Sequence, residues 1–313
     1  MNMIENISID YLYDEISIKI MDEIKKLREK QLNHSYKINV IGTNNILFSI
    51  LYSLSGSLKT NPKLKRITNY ILRKILERGA KQGKTLQAYT KVFWTNDVVK
   101  SSTMPYPIRR TEYPWAVLNA KLDKPMKILD IGSGISLFPI YLASKGHEVY
   151  SIDNDEILMN RLSPELAKMS GVNVKYSFGD ATKIEFDDES FDRVFCISTI
   201  EHLEEEYVDE KYVNYHKKNL DITAIGEMLR VLKFGGLLIM TFDWSEDKNE
   251  LRSYKIDDIY DRVLKPYKKF LIKDEKLIID WNDLKEKHVS AWKSFPPYNY
   301  VSEGWAIGTI LKK

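Results

Sequence analysis

Between residues 10 and 30, apolar side chains recur every three to four positions (Leu12, Ile16, Ile20, Ile24, Leu27), with acids and lysines between them. This is the spacing of an amphipathic helix. A second helix is predicted over residues 44–54, ended by Ser-Gly-Ser at 55–57, and a third over 62–78, with Pro62 in its first turn. The first hundred residues therefore read as a mainly helical N-terminal region. Residues 101–114 carry prolines at 105, 107 and 114 beside Tyr106 and Tyr113, and read as an extended linking loop. From Met126 the pattern changes to short apolar runs alternating with amphipathic stretches. Strands are predicted over KILDI (127–131), EVYSID (148–153), NVKYSF (173–178), RVFCIS (193–198) and LLIMTF (237–242), with a closing strand at 305–313. Helices fit over 137–145, 155–170 and 224–232. The alternation is that of an α/β fold, a parallel sheet with helices on both faces.

Composition narrows the picture. With 313 residues, 43% apolar and 29% charged, the chain has the make-up of an ordinary globular protein. Its one cysteine, Cys196, allows no internal disulfide and no cysteine-based metal cage, so a reducing, cytoplasmic setting is expected. The longest apolar stretch, 46–54, is about half of what a membrane span needs, and the acidic N-terminus is unlike a secretory signal. The net charge of +3 is unevenly spread: residues 59–84 hold nine basic groups against Glu77, which is +8. Such a block fits a solvated helix face, an anionic membrane surface or RNA.

Candidate chemistry begins at Asp130-Ile131-Gly132-Ser133-Gly134, between the first predicted strand and a helix. A glycine turn there lets a ligand approach the backbone at the carboxyl edge of the sheet. The dinucleotide pattern G-x-G-x-x-G fails, because Leu137 stands where a third glycine is needed, and Asp130 disfavours a phosphate. The ligand expected is nucleoside-like and without phosphates. The second strand ends in Asp153, able to accept both ribose hydroxyls, and the third leads into Gly179-Asp180-Ala181, a carboxylate able to accept from an adenine amine. Each acid alone also fits a helix cap.

ILDIGSG, the acid at Asp153, FGDA (178–181), FDRVFCISTIEHL (191–203) and RVLKFGGLLIMTF (230–242) resemble the successive motifs of class I S-adenosylmethionine-dependent methyltransferases, over residues 110–243. Ser136 replaces a frequent third glycine and Phe234 a frequent proline. The resemblance implies a Rossmann-like, seven-stranded, mostly parallel sheet, with residues 101–313 as the methyltransferase domain (EC 2.1.1.-). It implies S-adenosylmethionine as cofactor, S-adenosylhomocysteine as product, and cofactor contacts at Asp130, Gly132, Ser133, Gly134, Asp153, Asn154, Asp180, Ala181, Ser198 and Tyr113. Residues 198–202 would face the transferred methyl group. Glu112, Tyr113 and Trp115 fit either a lid over the sulfonium or packing of the domain's first helix. RRTEYPWAVLNAKL (109–122), the run from 128 to 149 and LLIMTFDW (237–244) are similar to bacterial methyltransferases of surface-polysaccharide biosynthesis.

Methyl transfer from a sulfonium is an in-line displacement that gains from alignment and water exclusion, and needs a base only for a poor nucleophile. His202 is the first choice of base, with Glu201 beside it and Asp243 second; alternatively Glu201 caps the next helix and His202 lines the cofactor wall. In some members of the superfamily Glu-x-x-Glu-His with a later His binds metal. Here Glu201, His202 and His216 are present but Ser198 stands in place of the first Glu, so no metal is expected. The acidic run from Glu204 to Glu210 reads as a solvated helix face. Acceptor selection is expected in the N-terminal region, the insertion 207–220 and the segment 244–304, where Trp281, Trp292, Phe295, Tyr298 and Tyr300 fit either a sugar-stacking pocket or ordinary packing. The expected activity is O-methylation of a small molecule or glycan, with a peripheral membrane contact through 59–84 and a homodimer both open. The alternatives are an RNA methyltransferase, disfavoured because no Asn-Pro-Pro-Tyr-like motif follows the fourth strand, and a non-catalytic S-adenosylmethionine-binding scaffold.

Overall fold

A computed structural model describes residues 4–6, 15–37, 107–134, 136–156, 158–204, 206–208, 211–214, 216–245, 253–270 and 304–313. The expectations for helices at 44–54 and 62–78, for the basic block 59–84 and for the aromatic residues at 281–300 lie outside these.

The chain runs through β1 (Ile4–Asn6), α1 (Glu15–Lys37) and α2 (Pro107–Asn119), then β2 (Lys127–Ile131), α3 (Phe138–Ser144), β3 (Glu148–Asp153), α4 (Ser163–Met169) and β4 (Val174–Phe178). It continues with β5 (Phe191–Ile197), a short hairpin of β6 (Glu206–Val208) and β7 (Lys211–Val213), α5 (Leu220–Val231), β8 (Leu232–Ser245) and β9 (Gly304–Lys312). Six strands in the order β9-β8-β5-β2-β3-β4 form the body of the main sheet, and the three-residue β1 pairs antiparallel with the far side of β9. Pairing is parallel from β8 through β4 and antiparallel at β8–β9, so the sheet is mixed. The seven-stranded sheet that the resemblance implies is thus met only in part.

β2 has partners on both sides and is buried from Ile128 to Ile131, as a strand covered on two faces must be. From β2 the chain builds outward through β3 and β4 on one side, then returns to lay β5 and β8 on the other. The boundary between β2 and β5 is a switch point, the place where open α/β sheets bind ligands beyond the carboxyl ends of their strands.

The extended loop expected over 101–114 is corrected: helix α2 starts at Pro107 and carries Pro114 inside it. Pro107 sits where a helix has no use for its amide hydrogen, whereas Pro114 removes one internal hydrogen bond. Burial outweighs that cost, since Glu112, Trp115 and Ala116 are fully buried and the Trp115 ring lies against Gly308 of β9. A second correction concerns the acidic run. Residues 206–208 form a strand, and the Glu204 carboxylate accepts from the amides of Lys218 and Leu220 at the start of α5.

The amphipathic helix read near the N-terminus is α1. Its Ile20, Ile24 and Leu27 are buried, and the Gln31 amide donates to Ser170 Oγ (2.9 Å) beyond α4, while Glu23 pairs with Lys145 at 2.6 Å. Among the described residues, no helix is long and apolar enough to cross a membrane.

Candidate active site

Gly132 and Gly134 follow β2 with φ of 71° and 53°, conformations that side chains rarely adopt. A Cβ on Gly132 would lie 2.1 Å from Thr199 Cγ2, because the turn after β5 presses on the loop, whereas a Cβ on Gly134 would meet none of the described residues within 4 Å. One glycine admits a neighbouring strand and the other leaves an open backbone face. The loop is anchored from below: Gly132 N donates to Ile152 O at 2.8 Å, and the Ser151 hydroxyl donates to Ser133 Oγ at 2.6 Å.

Asp153, at the end of β3, accepts from Gly134 N through Oδ2 (2.8 Å) and from Asp155 N through Oδ1 (3.0 Å). Burial pushes this carboxyl above its ordinary value, and the two amides offset part of that push. Its role in a local turn, open from the sequence, is therefore real. It also ties the glycine loop to the end of β3. Asp130 is only 2% exposed and among the described residues its Oδ2 has no hydrogen-bond partner; burial first, then the charge of Asp153, raises it well above the carboxylate range. Asp180 is exposed at the same edge and accepts from Thr182 N and Oγ1. Asn154, next to Asp153, is exposed, and Ala181, next to Asp180, is buried.

Tyr113 stacks on Phe138 with centroids 4.9 Å apart, and its hydroxyl lies 3.0 Å from Ser136 Oγ, which in turn accepts from Phe138 N. Trp115 is fully buried. Of the two readings of Glu112, Tyr113 and Trp115, packing of the first helix is the one the structure has, with the Tyr113 hydroxyl reaching Ser136 beside the glycine loop.

The carboxyl ends of β5 and β8 lie on the other side of the switch point. Ser198 takes φ of 44°, turning the chain into a short helix at Ile200–His202. Its amide donates to Thr241 O and Oγ1, and its hydroxyl to Glu112 Oε1 at 2.6 Å. Thr199 Oγ1 donates to Gly132 O at 3.2 Å. Glu201 is fully buried: Oε1 accepts from Asp243 N and lies 3.9 Å from His202 Nε2, while Oε2 has no hydrogen-bond partner among the described residues. Burial pushes Glu201 up to about 7; His202 opposes the push, and Asp243 and Glu112 add to it. The helix cap offered as an alternative for Glu201 is thus replaced by a bond to β8. The His202 side chain is 28% exposed. His216 stacks on Tyr254 at 4.5 Å, 3.7 Å from Asp221, and among the described residues no three His, Cys, Asp or Glu side chains converge on one point.

The sequence reading missed Thr199, Asn214 and the true partners of Glu112. Asn214 Nδ2 donates to Glu201 O and its Oδ1 accepts from His216 N. A signal existed for Thr199, whose position next to Ser198 puts it opposite Gly132; none existed for Asn214, which acts across a hairpin.

Compared with known proteins, residues 129–240 match the family model of a methyltransferase domain. By that match the segment is a methyltransferase domain. Its cofactor is S-adenosylmethionine, and the matched span contains the glycine loop, Asp153, Asp180 and the turn after β5. Similar solved structures include the PH0226 protein of Pyrococcus horikoshii OT3, at 22% identity over 71% of this chain and 98% of that one, with a TM-score of 0.41. The YcgJ protein of Bacillus subtilis shares 16% identity over 64% and 98%, with a TM-score of 0.43. A SAM-dependent methyltransferase of Aquifex aeolicus shares 17% over 64% and 88%, with a TM-score of 0.37. Three features of the methyltransferase domain suit such a ligand: the open backbone at Gly134, the unpaired Oδ2 of Asp130 and the exposed carboxylate of Asp180.

Proposed function

We propose that the protein methylates a hydroxyl oxygen of a small molecule or glycan. The observation that carries this reading is the meeting, at the β2–β5 switch point, of the Gly132–Gly134 loop with the turn that bears Glu201 and His202. S-adenosylmethionine supplies a methyl group on a cationic sulfur. Gly132, Ser133 and Gly134 line its methionine portion, Asp153 with Asn154 takes the ribose, Asp180 with Ala181 takes the adenine, and Asp130, Tyr113 and Ser198 support these contacts.

A hydroxyl is a poor nucleophile and needs its proton removed as the new bond forms. His202, the partly exposed member of the pair, takes that proton, and buried Glu201 behind it stabilises the imidazolium. The amide of Asp243 holds Glu201 in place. Acceptor choice falls to the N-terminal region 1–100 and to segment 244–304. The similarity to surface-polysaccharide enzymes and the charge over 59–84 support a lipid-linked glycan at an anionic membrane surface.

The test is transfer of radiolabelled methyl from S-adenosylmethionine into separated glycan, lipid, RNA, protein and small-molecule fractions of a cell extract. Label in glycan, glycolipid or small molecules, lost in Asp153→Ala, is the expected result. Label in RNA would replace this reading with an RNA methyltransferase. Tight cofactor binding with no label in any fraction would replace it with a scaffold.

A further inference from the structure

We propose that Glu112 is a positioning residue for methyl transfer, fastening the ends of β5 and β8 so that the turn after β5 sits against the cofactor loop. The proposal rests on the methyl-transfer reading above but concerns a residue outside the matched domain, which begins at residue 129.

Glu112 comes from α2 and is fully buried. A buried carboxylate is retained only where hydrogen bonds compensate its desolvation. Its Oε1 accepts two short ones, from Ser198 Oγ (2.6 Å) and from Thr241 Oγ1 (2.5 Å). Thr241 Oγ1 also accepts from Ser198 N at 3.1 Å, so one carboxylate oxygen, two hydroxyls and one amide close a ring across three elements. The ring surrounds Ser198, whose φ of 44° is costly for a residue with a Cβ and persists only when its surroundings hold it.

The residues just after Ser198 form the working part of the turn. Thr199 packs on Gly132 and bonds its carbonyl, and the partly exposed His202 lies three residues further on, 3.9 Å from buried Glu201. If Ser198 relaxes toward ordinary backbone angles, Thr199 lifts from Gly132 and His202 moves relative to the methyl group. Misplacement on this scale is costly for an in-line displacement, whereas Asp153 and Asp180, on β3 and beyond β4, keep their positions. Glu112 thus governs the rate more than cofactor affinity.

The experiment uses the full chain with Glu112→Ala and Glu112→Gln. Glutamine keeps an oxygen that accepts both hydroxyls; alanine keeps none. Four quantities are measured: the rate of label transfer into the accepting extract fraction, S-adenosylhomocysteine affinity by calorimetry, the melting temperature, and the threonine methyl spectrum by ¹³C NMR. Glu112→Ala is expected to lower the rate about 10-fold or more with affinity changed about two-fold or less, and Glu112→Gln to recover most of the rate. The Thr199 methyl signal, assigned by its loss in Thr199→Ser, should move in Glu112→Ala and stay in Glu112→Gln. Equal loss of rate, affinity and melting temperature in both variants would make Glu112 a plain structural residue and overturn the proposal, as would an unmoved Thr199 signal with full rate. Should the wild type label no fraction, the methyl-transfer reading fails, and the Thr199 signal still decides whether Glu112 holds the turn.

Discussion

At Gly132 a side chain has no room: the Cβ would be 2.1 Å from Thr199, on a backbone with φ of 71°. Gly132→Ala should therefore weaken S-adenosylhomocysteine binding by about 10-fold or more in a calorimetric titration, through a displaced loop rather than a lost contact. Gly134→Ala strains only its own backbone, since among the described residues nothing lies within 4 Å, and should cost less unless the ligand itself fills that space. Glu201 makes a pH prediction. Its folded-state value is raised from 4.5 to about 7, chiefly by burial, so the folded chain holds this proton more tightly than the unfolded chain does. A raised carboxyl favours the fold at low pH, and that advantage is lost as pH rises from about 4.5 through about 7. Glu201→Gln, which cannot ionise, should gain melting temperature relative to wild type at pH 8 compared with pH 5, while slowing methyl transfer. A difference in melting temperature independent of pH would contradict the assignment.

Among the elements, α2 is where pattern reading and structure part most clearly. Three prolines in ten residues read as a breaker, yet the segment from Pro107 is helical because Trp115 fills the space over Gly308 and Glu112 ties two strands. Gly308→Ala would place a Cβ 2.3 Å from the Trp115 ring and should cost about 1–3 kcal/mol in a urea melt. On α5, the forked Arg262 guanidinium donates to both oxygens of Asp221, which is 1% exposed, and Tyr254 adds a third bond. Burial alone would raise Asp221, but Arg262 and Tyr254 outweigh it and hold the carboxyl below its ordinary value. A depressed carboxyl stabilises above the unfolded value, and this contribution disappears as pH falls through the folded one. Arg262→Ala should thus cost about 3 kcal/mol near neutral pH and less in strong acid, as read by denaturant unfolding at several pH values.

For the whole molecule, β9 closes the long strand β8, pairing from Leu237 to Ser245. Removing residues 304–313 should leave that apolar edge open and give an aggregating protein in size-exclusion chromatography, whereas a soluble monomer would show that β9 is dispensable. The strands of the sheet other than β1 were legible from the sequence because their apolar periods reflect local burial, and so were the glycine loop and the acids at 130, 153 and 180, because they stand at or just beyond the ends of predicted strands. The nucleoside-like ligand followed from those positions alone. Other features were decided only by the tertiary structure. The helicity of α2 depends on its packing against β8 and β9, and the partners of Glu112 lie 86 and 129 residues away. Glu201 owes its raised pKa to the depth of its burial, and Gly132 owes its need for glycine to Thr199, 67 residues further on. A local pattern records which face of a segment meets the core. It carries no record of which distant side chain arrives there, and that arrival sets the charge and geometry of the site.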